Sequence, residues 1–174
     1  MTMPPQGGRH TGSSKVDAGR LWAGGVATAV IAALVAVVGV LIARGIFDID
    51  VLAPEGAGVW GDSDTARYAL FAAVGALIAT ALIHLLILFA PRYSGFFTWI
   101  MVLATTVAVL APFAVDADRA VQVATALINL FIGLAIGTLV AGSARSAIAA
   151  AAASGGAIDQ YPPEAYPPGA YPPR

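Results

Sequence analysis

Cysteine is absent from this chain, which excludes a disulfide framework, thiolate chemistry and iron–sulfur ligation. Histidine occurs twice, at His10 and His84, too few for an imidazole metal site without other ligands. Charge is scarce: Asp, Glu, Lys and Arg make up 11% of the residues, the net charge is −1, and only one Lys is present. A chain without a basic surplus has no electrostatic footprint for nucleic acid. Most telling is where charge is missing altogether. Four stretches, Leu21–Ala43, Tyr68–Ala90, Tyr93–Val115 and Ala120–Ala144, hold none of it. Chance placement would put about ten charges into them.

What fills these stretches is Ala, Val, Leu, Ile and Gly, and the whole chain is 59% hydrophobic. A rise of about 1.5 Å per residue makes each a helix of about 35 Å, enough to cross a hydrocarbon core of about 30 Å. A soluble helix needs a charged face, and 174 residues cannot enclose four helices that lack one. The expected solvent is therefore a lipid bilayer, and the expected fold an all-α bundle of four transmembrane helices in the cell membrane. Lys15 and Arg20 with Ala27-Thr28-Ala29 imitate a cleavable signal peptide. The apolar run continues well past the usual 7–15 residues, however, so it reads as a retained signal-anchor.

Four spans put both termini on one side. That side carries Arg9, Lys15, Arg20, Arg92, Arg145 and Arg174, against Arg44, Arg67 and Arg119 on the other. The positive-inside rule then places both termini in the cytoplasm. Trp22, Phe89, Tyr93, Phe96, Phe97 and Trp99 are expected to form the inner aromatic belt, with Tyr68, Phe71 and Phe113 in the outer one. Outside the spans, residues 1–20 read as a disordered basic head and residues 145–154 as a helical extension. Residues 155–174 form a disordered tail with the repeat Tyr161-Pro-Pro, Tyr166-Pro-Pro, Tyr171-Pro-Pro, leaning to polyproline II. The tail reads first as a solvated terminus and second as a weak cytoplasmic adaptor. In the 44–67 loop, Phe47-Asp48-Ile49-Asp50-Val51 alternates like a half-buried strand, suited to lying over the outer mouth.

Lipid gives helices no hydrophobic reason to associate, so their contacts depend on small residues and polar glue. Span four carries Thr125, Asn129, Gly133, Gly137 and Ala141 at four-residue spacing; span two carries Ala72, Ala76, Thr80 and His84. Span one offers Gly24, Thr28, Ala32 and Ala36, and span three Thr98, Thr105 and Ala108. These stripes are the expected packing surfaces, within one chain, in a homo-oligomer or toward other membrane proteins. Asn129 is expected to bond Thr105 or Thr106 at a similar depth. His84 is the one ionisable side chain inside a span and so the candidate functional residue, although a packing role, bonded to a neighbouring Thr or backbone, is the plainer reading. Three Asp-x-Asp pairs, 48/50, 62/64 and 116/118, lack the spacing of a calcium loop, and helix capping explains two of them.

The order of motifs resembles the small four-span membrane proteins of unknown function common in GC-rich actinobacteria. These motifs are Arg20-Leu-Trp-Ala-Gly-Gly at the start of span one, His84-Leu-Leu in span two and Asn129-Leu-x-Ile-Gly-Leu-x-x-Gly in span four. The resemblance covers about residues 20–145; it supports the fold and location and assigns no catalytic residue, metal or cofactor. No nucleophile, base and oxyanion donor stand in a recognisable pattern, so an enzyme is not expected. The expected role is a scaffold or accessory component. The alternative is a small transporter or channel subunit using His84 and Asn129, without the intramembrane carboxylate on which four-helix proton-coupled exporters rely. A cysteine placed at Ser63 is expected to react with a membrane-impermeant maleimide in intact cells; absence of labelling would reverse the orientation.

Overall fold

The computed structural model describes residues 16–49, 51–52 and 64–156. Four helices account for most of them: α1 (Ala18–Ile46), α2 (Asp64–Phe89), α3 (Tyr93–Leu110) and α4 (Arg119–Gly156). All four are long and apolar enough to cross a membrane, and the described residues contain no strand. The basic head, most of the acidic loop and the Tyr-Pro-Pro tail lie outside the described residues. The end bearing the α1–α2 and α3–α4 connections is called distal below, and the opposite one the terminal end.

Capping decides where the helices begin and stop. α1 starts three residues before the apolar run because Asp17 accepts a hydrogen bond from the Arg20 N–H at 3.0 Å. At its far end, Asp48 adopts a left-handed backbone with φ 54°, which Asp tolerates better than most residues. The chain folds back there, and Ile49 N–H donates to the Ala43 carbonyl at 2.9 Å. This turn replaces the strand expected over 47–51. The segment nevertheless covers the distal end: Val51 is buried, and Leu52 N–H donates to Thr125 Oγ1 at 3.1 Å. α3 ends at Leu110 rather than Val115 because Pro112 closes the helix into a 3₁₀ turn over Ala111–Ala114. α4 continues past the expected extension to Gly156, giving a rod of about 57 Å.

α1, α2 and α4 pack closely, and small residues make this feasible. Ala32 and Ala36 of α1, Ala76 and Thr80 of α2 and Ala144 of α4 are wholly enclosed. A methyl group on Gly25 would stand 2.5 Å from Thr80 Cγ2, and one on Gly39 would stand 2.9 Å from Ile128 Cγ1. These are the points where α1 presses on α2 and α4. The terminal end is tied as well: Asp17 N–H donates to the Ala147 carbonyl at 3.3 Å, with Val16 and Ala147 both buried.

α4 shows two adjacent faces. Ile128, Ile132, Ile136 and Val140 form a bulky buried column in the core shared with α1 and α2. The stripe one position further on, with Gly133 and Gly137, meets α3 instead. A methyl on Gly133 would lie 2.9 Å from Thr105 Cβ, and Met101 Cβ is 3.8 Å from the same point on Gly137. α3 rests mainly on α4 and touches α2 less. Its buried residue is Phe97, which was expected in the aromatic belt, whereas Thr98 is exposed and bonds back to the Ser94 carbonyl.

Gly133→Ala should therefore push α3 off α4. Overpacking of this kind costs about 1–3 kcal/mol, visible as a lowered Tm of the detergent-solubilised chain. Gly142→Ala, with nothing within 4 Å of the new methyl, should hold the Tm or raise it slightly, since Ala favours a helix interior over Gly.

Candidate functional site

In hydrocarbon every polar hydrogen needs a partner, and the threonines of the spans find theirs locally. Thr28, Thr80, Thr106, Thr125 and Thr138 each donate to the carbonyl four residues back, at 2.7–2.8 Å. They pack as small residues, with no hydrogen left over for a neighbouring helix. Asn129 does not bond Thr105 or Thr106 as expected.

Asn129 has a different partner, created by a proline. Residue 112 would ordinarily donate its N–H to the carbonyl of Ala108, but Pro112 has none to give. Asn129 Nδ2 takes that place, donating to the Ala108 carbonyl at 2.7 Å. Its Oδ1 accepts the Tyr68 hydroxyl. One side-chain amide thus joins α2, α3 and α4. Tyr68 is 7% exposed, so its ring turns inward instead of standing in the outer aromatic belt. Proline in an apolar run is a visible signal for a freed carbonyl, but the partner's identity depends on helix tilt and rotation.

This three-helix junction lies in the wall of a cleft of about 610 Å³ between α2, α3 and α4. Its distal half carries Tyr68, Thr125 and Asn129 beneath Leu52. Deeper, Ile78, Leu82, Ile100, Met101 and Ile136 present apolar surface, with Thr105 beside Gly133 the one polar side chain. No charged side chain lines it. The cleft exists because α3 is held to α4 at Gly133 while meeting α2 only loosely. A second groove, of about 690 Å³ on the outer side of α1 and α4, has Thr138 as its only polar side chain.

The residues singled out in the sequence divide between separate places. Thr125, Asn129, Gly133 and Ala72 line the cleft, and Gly137 lies beside it against Met101. Ala76 and Thr80 lie on the face of α2 enclosed by the core. His84 lies one turn beyond Thr80 and far from the polar end of the cleft: sixteen residues along α2 from Tyr68, it stands about 24 Å from it along the axis. Its ring faces Trp22 of α1, with centroids 6.5 Å apart and planes tilted by 48°. Nδ1 is buried without a hydrogen-bond partner among the described residues, so the expected Thr or backbone bond at that atom is not made. The described residues contain no group of three His, Asp or Glu side chains able to hold a metal. Asp50, Asp62 and the side chain of Asp64 lie outside them.

The model of a family of unknown function, DUF6069, matches residues 16–146. The chain belongs to that family. The matched region begins at Val16, beside the cap of α1, and ends within α4 at Ser146, next to the residue that bonds Asp17. It therefore encloses the whole bundle, including Pro112, Asn129 and both walls of the cleft. Comparison with curated proteins and with solved structures finds no match.

If Pro112 frees the carbonyl that Asn129 satisfies, their substitutions are coupled. Asn129→Leu should lower stability by about 0.6–2 kcal/mol. In that background, Pro112→Ala restores an N–H for Ala108 and should recover part of the loss. A double-mutant cycle by thermal or denaturant unfolding reads the coupling; strictly additive losses would contradict this account of the junction.

Proposed function

We propose that the protein is a non-enzymatic, multi-pass component of the cell membrane, with both termini cytoplasmic, that serves as a scaffold or accessory subunit for other membrane proteins or for further copies of itself. The supporting observation is the uneven embedding of its helices. One third of the most apolar window of α1, α2 and α4 is buried, against 11% for the span that begins with α3. Trp99, Leu103 and Val107 all point outward from it, each at least 60% exposed. In a solvent that gives apolar surfaces no reason to associate, the helix with least of itself inside the bundle has most surface to share with another protein. The polar groups support the same assignment. Asn129, Tyr68 and the threonines hold helices together or satisfy themselves, and do not converge on a position where a substrate would react.

A transporter built on His84 and Asn129 draws support from Asn129, which stands in the wall of a laterally open cleft. It draws none from the pairing, because His84 lies about 24 Å along α2 from Tyr68, the residue whose hydroxyl Asn129 accepts. Both roles are tested together. A photoreactive residue at Leu103 should give a discrete protein adduct in native membranes, and proteoliposomes should show no proton or dye flux above empty vesicles. A flux abolished by His84→Ala would establish the transporter instead.

A further inference from the structure

The cleft between α2, α3 and α4 has a size, a length and a polarity gradient that together select an occupant. Its volume of about 610 Å³ lies in the range of small-molecule sites, about 300–1,000 Å³. It runs from Thr125 to Ile136 on α4 and from Tyr68 to Leu82 on α2. These distances are about 16 Å and 21 Å along the helix axes. One leaflet of a bilayer has a hydrocarbon depth of about 15 Å, half of a core of about 30 Å. The cleft has the length of one lipid chain.

Polarity is graded in the same direction. The distal half holds the Tyr68 hydroxyl, the Thr125 hydroxyl and the Asn129 amide, while the deeper lining is apolar except for Thr105, packed against Gly133. Of the two Asn129 amide hydrogens, one goes to Ala108; the other has no partner among the described residues and is free to meet a carbonyl oxygen. No charge is present to favour an ionic ligand at this depth. The floor and walls are also open for filling: a methyl on Gly75 would have Ile136 Cδ1 as its nearest neighbour, at 3.9 Å.

We infer that the cleft is a binding site for a single acyl chain of a bilayer glycerolipid from the distal leaflet, with the ester end toward Thr125 and Asn129 and the chain running down between α2 and α3. The occupied chain completes the packing of α3 against α2, where protein contact is sparse. This assignment does not depend on the scaffold role, since a resident lipid is read from the purified chain alone.

The full-length chain in a mild detergent is titrated with palmitoyl-oleoyl phosphatidylglycerol and observed by native mass spectrometry. One lipid per chain should survive detergent exchange. Gly75→Leu and Ala104→Phe, which fill the cleft from opposite walls, should each weaken retention by about tenfold or more. Gly142→Leu, outside the cleft, should retain lipid as the parent does, and circular dichroism with Tm identifies any variant that has lost its fold. Lipid retained equally by folded Gly75→Leu and Ala104→Phe, or not retained by the parent, overturns the site. So does a protein adduct, from a second copy or another membrane protein, formed by a photoreactive residue at Ala104.

Discussion

A backbone carbonyl without a donor is the constraint around which the distal half of this protein is arranged. Pro112 deprives Ala108 of its ladder partner, and a carbonyl left unsatisfied away from water costs about 1–3 kcal/mol. The amide of Asn129 answers it and is itself oriented by Tyr68. Three helices acquire a fixed register from one proline. Without that junction, α3 would be held to the rest by little besides the Gly133–Thr105 approach and Phe97.

Small residues do the remaining work, and they do it asymmetrically. Where Gly25 and Gly39 let α1 sink onto α2 and α4, the bundle closes. Gly133 draws α3 toward α4 alone, and no equivalent approach draws it to α2. The cleft is the geometric remainder of that imbalance. Its polar atoms are those of the junction, so the same side chains that hold the helices also give the cavity its one chemically distinctive end.

The four long apolar helices were legible because charge is absent over some twenty residues in each. Their ends were less so: Asp17 and Pro112 override the charge pattern by capping and by breaking the ladder. The small-residue stripe of α4 was visible. The Ile128–Val140 column beside it was not, because Ile is as comfortable against lipid as in a core. Depth counting paired Asn129 with Thr105 or Thr106 and failed, since it ignores the carbonyl that a proline releases. Tyr68 reads as a boundary aromatic in any sequence; only the position of Asn129 turns it inward. His84 stood out in the sequence as the one ionisable group within a span and is found beside Trp22, about 24 Å along α2 from Tyr68.

The bond from Asp17 N–H to the Ala147 carbonyl makes the bundle almost a closed loop. α4 then continues nine residues past Ala147. Sliding α1 along α4 would break this bond and uncover Val16 and Ala147, so the two longest helices keep one fixed register at the terminal end.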